Sequence, residues 1–416
     1  MRDLGFLGDI LNTLFERRIR RRYSKDSRSI QDLCLALLDT EGEVSGLSLA
    51  GSILRNYNMM STDEKSDFFE FLNNELEVDL EYLKGTIQKH QSEPSIQNYS
   101  AISQASKPKR QELLQRLNQP SGATFALVQM RSDLINILKV KLDLRRTDLD
   151  FVHLLRSWFN RGFLVLRQIS WETPASILEK IVEYEAVHAI SDWSELRRRL
   201  YPKDRKCFAF FHPSMPTEPL IFVEVALTHQ VPKSIQDLLD NNREPVSDID
   251  PTVAVFYSIS NCQAGLAGIS FGNFLIKQVA AELQSQYGGI EKFVTLSPVP
   301  SFKKWFETNM DVPHVTDVKN GLAKNQDIRK LVGHYLTAVK GKDGFPIDPV
   351  ARFHLGNGAQ ILEIHPQADL SDKGISQSMG VMVNYEYDLN KVEQNHEHFV
   401  QNGRVCTNPR FKLETL

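Results

Sequence analysis

The sequence predicts a two-domain α+β fold, with an all-helical N-terminal bundle over residues 1–160 and an α/β domain over residues 161–416. Apolar residues recur every three or four positions through the first part, which is the spacing of one face of a helix. Short apolar runs rich in β-branched and aromatic residues follow after Arg161, and such runs are typical of sheet strands. A chain of 416 residues is also long enough for two or three domains.

The N-terminal part is predicted to be helical apart from one connector. Ile30–Leu38 and Phe68–Leu72 carry the helical spacing, and Ser61 supplies a capping hydroxyl before the second of these runs. The polar stretch Gln91–Lys109, which contains prolines, is predicted to be the connector. The helical spacing then returns in two further runs, Leu134–Leu138 and Val152–Leu155.

The start of the chain is amphipathic and rich in arginine, which raises the hypothesis of a mitochondrial transit peptide. Asp3, Asp9 and Glu16 argue against it, because such peptides are poor in acidic residues. We favour a first helix with a basic last turn at Arg17–Arg22, since cations stabilise the C-terminal end of a helix.

The α/β domain is predicted from short apolar runs bounded by Pro, Asp or Gly. Strands are expected at Phe163–Leu166, Cys207–Phe211, Leu220–Leu227, Thr252–Tyr257 and Phe293–Leu296. Helices are expected between them, at Pro174–Tyr184 and Phe271–Leu283.

Charge and cysteine content argue against several classes of protein. With 49 basic and 52 acidic residues, the chain lacks the net positive charge that would point to nucleic acid or an anionic membrane as partner. The four cysteines lie far apart without a C-x-x-C pair, which argues against a disulfide framework and fits a reducing compartment. No apolar run approaches the roughly 18 residues of a transmembrane helix. We therefore expect neither a nucleic acid nor a membrane partner.

The run Gly268-Ile-Ser270-Phe-Gly272 matches G-x-S-x-G, the pattern around the nucleophilic serine of α/β-hydrolases. That serine directly follows its strand on a sharp turn, whereas here the preceding strand is expected to end near Ser258, so we interpret the match as accidental. A strand, a glycine-rich loop and a helix start, in this order, aim free backbone N–H groups at phosphate oxygens. On the motif alone, a phosphate-binding loop and a purely structural loop stay equally open.

A series of ordered motifs resembles the malonyl-CoA decarboxylase family. The motifs cover essentially the whole α/β part, and their number makes the resemblance specific, while the helical part is similar mainly in character. In chain order they are Glu185–His188, Glu218–Leu220, Val225–Thr228, Phe256–Ser260, Gly265–Gly268, Phe274–Lys277, Leu296–Phe302, Phe353–Ala359 and Asn384–Tyr387.

The resemblance implies a catalytic domain of the N-acetyltransferase-like (GNAT) fold and a helical domain that assembles protomers into a dimer or tetramer. It implies a carboxy-lyase that converts malonyl-CoA to acetyl-CoA and CO2 without a metal or an organic cofactor. Ser297 and His354 would form the catalytic pair, polarising the substrate and delivering a proton to the enolate; a histidine ordinarily titrates near neutral pH. The substrate-binding loop would comprise Ala267, Gly268, Ile269, Ser270, Phe271, Gly272 and Asn273.

Two features depart from the animal members of that family. Ser270 stands where those members carry an acidic residue, so a catalytic contribution from this position is not implied. The sequence ends in Phe411–Leu416 rather than in a Ser-Lys-Leu peroxisomal tail, which favours a bacterial, cytoplasmic protein.

Other side chains are weaker candidates. His396-Glu-His398 lacks a clear third ligand, so no metal site is predicted there. Without the resemblance, a strand-end cap would be the simpler interpretation of Ser297, and a core histidine that of His354. Second-rank candidates for lining the pocket or orienting the thioester and the departing carboxylate are His212, Tyr257, Asn357 and Tyr387.

Two alternative functions stay open at this point. A CoA-dependent acyltransferase on the same fold would transfer an acyl group to an amine. A non-catalytic acyl-CoA-binding protein would hold the nucleotide without turnover. Formation of acetyl-CoA from malonyl-CoA without any acceptor would distinguish the decarboxylase from both.

Overall fold

The computed structural model describes residues 28–240, 250–269, 274–309 and 325–411. Backbone contacts divide the chain into two compact units. The helical unit contains residues 1–159 together with 263–270, and the α/β unit contains residues 160–262 together with 271–416. A helical part followed by a mixed α/β part is the class that the sequence predicted, and it is confirmed. The basic helix predicted at Arg17–Arg22 lies outside the described residues.

Eight α-helices build the described part of the helical unit. They are α1 Ile30–Asp39, α2 Glu43–Asn58, α3 Thr62–Asn74, α4 Leu80–Ser92, α5 Ile96–Ala105, α6 Lys109–Leu117, α7 Ala123–Ile137 and α8 Arg145–Trp158. Ser61 caps α3 in a capping box with Glu64, as its position in the sequence indicated. The core contains Tyr57, Phe68 and Phe69, whose rings meet edge to face or tilted.

The connector predicted at Gln91–Lys109 is wrong, because helix α5 lies inside it. Ser95 caps this helix by accepting a hydrogen bond from the N–H of Asn98, and α5 packs against α4. Since α4 has no buried residue and α5 has two, neither shows the apolar periodicity that predicts a helix.

In its described residues, the α/β unit contains one mixed sheet of eight strands. They are β1 Val165–Ile169, β2 Arg205–His212, β3 Met215–Thr228, β4 Val253–Asn261, β5 Lys292–Thr295, β6 Ser297–Pro298, β7 Gln360–His365 and β8 Met382–Glu386. The α-helices of this unit are α9 Ala175–Tyr184, α10 Trp193–Leu200, α11 Ile235–Leu239, α12 Phe274–Gln286, α13 Phe302–Thr308, α14 Asn325–Thr337, α15 Pro349–Gly356, α16 Asp372–Ser378 and α17 Val392–Asn402.

The sheet changes from antiparallel to parallel at its centre. Its order is β1-β2-β3-β4-β5-β8-β6, with β7 paired to β8. Strands β1 to β4 are antiparallel neighbours, and β5 runs parallel to β4. The β4–β5 pairing covers only Val253–Phe256, although β4 continues beside β3 to Asn261. The two central strands therefore part beyond Phe256.

The predicted strands match β2 to β5 in position, and two further differences stand out. Strand β1 begins at Val165, because Arg161–Phe163 forms a 3-10 turn. Asn160 accepts from the N–H of Gly162 with its side chain and from the N–H of Phe163 with its carbonyl oxygen. Strand β4 runs to Asn261 rather than ending near Ser258. Eight residues still separate it from Ser270, so the geometry of a nucleophile elbow remains excluded. Across the residues that the structure describes, no helix has both the length and the apolar character of a bilayer span.

Residues 263–270 are bound tightly within the helical unit. A Cβ atom on Gly265 would lie 1.8 Å from the carbonyl oxygen of Val128 in α7, so only glycine fits there. The buried Arg131 donates to the carbonyl oxygens of Gly265 at 2.7 Å and Ala267 at 2.9 Å. Its Nε atom also donates to Asp148 at 2.8 Å. The close contact of Gly265 with α7 and the hydrogen bonds from Arg131 together hold the segment from Gly265 to Ala267 in one conformation.

We expect Gly265→Ala to destabilise the protein, because the new methyl group has no room without moving backbone. Overpacking of this kind typically costs about 1–3 kcal/mol. Urea denaturation of the full chain measures the effect, with the exposed Gly288→Ala as the control, since a Cβ at Gly288 meets no atom within 4 Å. Equal stability of the two variants would contradict the close approach of Gly265 to α7.

Candidate active site

Ser297 is positioned by the segment in which the chain leaves β5. Leu296 donates its N–H to the carbonyl oxygen of Phe256, the last link to β4, and Ser297 then pairs with Val383 of β8. Side chains alternate between the two faces of a strand. Leu296 joins the hydrophobic core on one face, so Thr295 and Ser297 point to the other.

His354 is positioned by helix α15. Asp348 caps that helix and Pro349 is its first residue, a position where the missing proline N–H costs nothing. The His354 side chain is buried, and its ring stacks on the ring of Tyr385 at 4.8 Å between centroids. Tyr385 lies on β8, and Tyr387 directly follows its last residue and donates its N–H to the carbonyl oxygen of Phe293. Both side chains therefore reach the face that carries Thr295 and Ser297.

The structure brings the two predicted catalytic residues together. Ser297 Oγ lies 3.0 Å from His354 Nε2, and it donates its proton to Thr295 Oγ1 at 2.9 Å. Tyr387 Oη lies 2.8 Å from the other ring nitrogen, Nδ1. A neutral imidazole donates from one ring nitrogen and accepts at the other, and a hydroxyl can serve either role, so Ser297 and Tyr387 satisfy both nitrogens. Every polar atom of the imidazole has a partner.

Burial sets the charge state of this histidine. It lowers the pKa of His354 to about 3, because the imidazolium form loses its hydration and gains no carboxylate partner. The expectation of a group that titrates near neutral pH is therefore wrong for the protein without substrate. Burial also raises the pKa of Tyr387 well above its usual value. The site at rest is a set of uncharged hydroxyls around a neutral imidazole.

The second-rank candidates lie in different places. Tyr387 contacts His354, as described. Asn357 follows α15, and its side chain donates to the carbonyl oxygen of Phe353 at 2.7 Å, which is a helix-capping role. Strand β2, which carries His212, is separated from β5 by two strands, so their axes are about 14 Å apart.

Tyr257 lies on the opposite face of the sheet from the pair. Its ring belongs to a buried cluster with Val255 and Leu296, whereas its neighbour Phe256 packs edge to face with Tyr387. Burial and the charge of Glu224 raise the pKa of Tyr257 well above its usual value. A contact between Tyr257 and substrate stays a prediction.

Sequence reasoning missed Thr295 and Tyr385. Thr295 sits in an apolar strand, and its hydroxyl accepts from the N–H of Tyr385 at 3.2 Å as well as from Ser297. The available signal was the Thr-x-Ser spacing, since alternate strand residues share a face. Tyr385 was visible only as part of the Asn384–Tyr387 motif.

The glycine-rich loop is described in part. Gly268 has φ of +74°, a left-handed conformation that favours glycine, and Ile269 is buried. Ser270, Phe271, Gly272 and Asn273 lie outside the described residues, so their predicted substrate contacts stay predictions. Helix α12 follows at Phe274.

The described residues contain no cluster of three or more His, Cys, Asp or Glu side chains able to hold a metal ion. His396, one of the lookalike ligands, lies on α17 and donates from Nδ1 to the carbonyl oxygen of Gly356 at 2.7 Å.

Two family profiles match the chain. The one described as the malonyl-CoA decarboxylase C-terminal domain matches residues 162–324 and 313–414, and the one described as the N-terminal domain matches residues 76–159. Among curated relatives, the mitochondrial malonyl-CoA decarboxylase of Anser anser anser is 34% identical over 332 residues, covering 69% of this chain and 66% of the relative. The Rattus norvegicus protein of the same name is 33% identical over 334 residues, covering 69% and 67%. The chain thus spans about two thirds of the length of these relatives.

Solved structures similar to this chain carry the same name as these relatives. Malonyl-CoA decarboxylase from Rhodopseudomonas palustris superposes with a TM-score of 0.86 at 45% identity, covering 91% of this chain and 97% of that one. The structure from Cupriavidus metallidurans gives a TM-score of 0.70 at 32% identity, covering 94% and 98%.

The low pKa of His354 makes stability depend on pH in a defined direction. In the unfolded chain this residue binds a proton below about pH 6.5, while in the folded protein it stays neutral down to about pH 3. The unfolded state therefore gains a proton as the pH falls, and the folded state loses stability by about 1.4 kcal/mol per pH unit between about pH 6.5 and about pH 3. Relative to His354→Gln, the wild type should lose about 2 kcal/mol between pH 7.5 and pH 5, measured by urea denaturation. If the free energies of unfolding of the wild type and of His354→Gln changed equally between pH 7.5 and pH 5, the lowered pKa of His354 would be contradicted.

Proposed function

The chain belongs to the malonyl-CoA decarboxylase family, and from that premise we propose that it is a carboxy-lyase whose Ser297–His354 pair converts malonyl-CoA to acetyl-CoA and CO2. The observation that carries the proposal is the buried pair itself, with Ser297 Oγ 3.0 Å from His354 Nε2. Thr295 and Tyr387 hold the pair from either side.

The reaction needs a donor for a developing negative charge and one proton. The bond between the α-carbon and the carboxylate breaks, CO2 leaves, and the electron pair forms the enolate of the thioester. Ser297 lies where its hydroxyl can turn from Thr295 to the thioester oxygen and stabilise that charge. A single preorganised donor of this kind is worth about a hundred- to a thousandfold in rate. No step requires a metal or an organic cofactor.

The proton comes from His354, which must first acquire it. Burial keeps the ring neutral in the free protein, but an anion placed beside a buried base raises the pKa of that base. The malonyl carboxylate is such an anion. When the substrate binds, His354 therefore takes up a proton from solvent. The imidazolium then gives its Nε2 proton to the α-carbon and returns to the neutral form, which balances the single proton that the reaction consumes.

The loop Ala267–Asn273 is proposed to bind the CoA pyrophosphate. Its described part supports this role, because Arg131 ties down the carbonyl oxygens of Gly265 and Ala267. The carbonyl of Ala267 is held by Arg131 and Gly268 is left-handed, so the described start of the loop is shaped before ligand arrives. Helix α12 starts directly after it, and a helix N-terminus favours an anion. Binding by this loop is separate from the chemistry at the pair.

Replacing either member of the pair should abolish most turnover without weakening binding. We expect His354→Asn and Ser297→Ala each to lower kcat by about two orders of magnitude, and the double variant to lower it by less than the product. KM should change little, because the loop carries the CoA. Acetyl-CoA formed from malonyl-CoA without an acceptor is the measured product, which also separates a decarboxylase from an acyltransferase.

His398→Asn is the matched control, since His398 lies on α17 and its side chain forms no hydrogen bond with Ser297 or His354, and its turnover should equal that of the wild type. Each variant is checked by circular dichroism for its fold. A folded His354→Asn protein that keeps most of its activity would rule out the assigned role.

The helical unit is proposed to join copies of the chain into a homo-oligomer, a dimer or a tetramer. Helices α4 and α5 form a hairpin that buries little of its own apolar surface. Leu80, Tyr82, Ile96 and Tyr99 are 70%, 60%, 84% and 67% exposed. Several exposed apolar side chains on one helical hairpin are typical of a contact with a second copy.

Charges on this hairpin should dissociate the oligomer. Leu80→Glu combined with Tyr99→Glu places two carboxylates in the proposed contact, and sedimentation velocity should show a lower mass than for the wild type. Val140→Glu with Leu142→Glu is the control, since these residues are 86% and 69% exposed elsewhere in the helical unit. A monomeric wild type, or a hairpin variant of unchanged mass, would contradict the proposal.

A further inference from the structure

Asp348 links the two segments that carry the catalytic pair. It is buried at the N-terminal end of α15, the helix of His354. Its Oδ1 atom accepts from the N–H groups of Val350 at 3.0 Å and Ala351 at 2.9 Å. Its Oδ2 atom accepts from the N–H of Ser301 at 3.3 Å. One carboxylate thus binds both the helix and the segment that follows Ser297.

Both connections from Asp348 to the pair are stiff. Between Ser297 and Ser301 the chain reads Pro298-Val299-Pro300, and each proline fixes one backbone dihedral. The N–H of Val299 in this stretch donates to Ser378 Oγ at 3.1 Å. On the other side, His354 lies on the same helix that Asp348 caps, within two turns. A shift at Asp348 would therefore reach the contact between Ser297 and His354.

Helix capping alone does not account for a carboxylate here. Asparagine and serine cap helices about as well as aspartate and carry no charge to bury. In the described part of the chain no Lys, Arg or His forms an ion pair with Asp348, and burial raises its pKa to about 6. Burial and, after it, the charge of Asp348 raise the pKa of both Tyr335 and Tyr385. Among the described groups, backbone N–H groups alone stabilise this buried charge, and a buried charge without an ion-pair partner is costly.

Two acceptor atoms are what the carboxylate adds. An asparagine at this position could keep its oxygen toward Val350 and Ala351, but its NH2 group would then face the N–H of Ser301. Two donors would meet, and the link to the Ser297 segment would be lost. The geometry requires an acceptor on each side of residue 348.

We propose that Asp348 is a positioning residue that holds Ser297 in contact with His354, and this inference rests on the proposed decarboxylation at that pair. It touches neither substrate nor reacting atoms. It acts by fixing the distance between a hydroxyl on β6 and a ring on α15. Misplacement of reacting groups by about 1 Å can cost about a hundredfold in rate, so a loosened link has a measurable effect.

Asp348→Asn tests the link while keeping the cap. We expect a folded protein with a KM for malonyl-CoA within about twofold of the wild type, and a kcat lower by about ten- to a hundredfold. Asp192→Asn is the matched control, because Asp192 caps α10 by accepting from the N–H of Glu195. That variant should turn over malonyl-CoA like the wild type. If Asp348→Asn does not fold, Asp348→Ser is used, which also caps a helix and also lacks the second acceptor.

A double-mutant cycle separates positioning from general damage. If Asp348 acts by holding Ser297, then Asp348→Asn should lower kcat in the wild type and have almost no further effect in Ser297→Ala. Single-turnover assays with the enzyme in excess measure the slow variants. An equal fractional loss in both backgrounds would assign Asp348 a merely structural role and overturn the proposal.

The crystal structure of the Asp348→Asn variant gives a readout without turnover. We expect Ser297 Oγ and His354 Nε2 to separate beyond hydrogen-bonding distance, and a distance still near 3.0 Å would overturn the proposal. The proposed function fails in a different way, namely if Ser297→Ala alone leaves kcat unchanged. Loss of kcat in Ser297→Ala with a normal kcat in Asp348→Asn would refute the positioning role alone.

Discussion

The desolvation of one imidazole is the constraint on which the rest of the site depends. A buried ring cannot leave a nitrogen unpaired, and a charged partner would raise its pKa and change its resting state. His354 meets this constraint with two hydroxyls, from Ser297 and Tyr387. The chain must then bring a strand end, a helix and β8 to one point. The strand order β4-β5-β8-β6 at the centre of the sheet brings these segments together.

The parting of the central strands makes room for this arrangement. Strands β4 and β5 share four paired positions, after which β4 keeps β3 as partner and the chain after β5 turns to β8. The turn places Ser297 on the face of Tyr385 and Tyr387. Ser297 thus lies just beyond the end of the β4–β5 pairing and pairs with β8 instead.

Much of this arrangement could be predicted from the sequence, and the exceptions have physical causes. Strands β2 to β5 were visible because fully buried strands form continuous apolar runs. Helix α5 was not, because it buries almost nothing and so shows no apolar periodicity. Ser297 and His354 were identified through family motifs, but the partners Thr295 and Tyr385 look like core residues in the sequence. The charge state of His354 depends on burial by α15 and β8, which no local pattern encodes.

The membership of residues 263–270 in the helical unit bears on how the protein forms during synthesis. The helices α1 to α8 leave the ribosome first, yet α7 packs against Gly265, about a hundred residues after the last of them. N-terminal domains ordinarily fold as units while synthesis continues. Here the buried Arg131 stays without its carbonyl partners until that segment emerges. The helical unit is therefore completed late in translation, together with the nascent α/β unit.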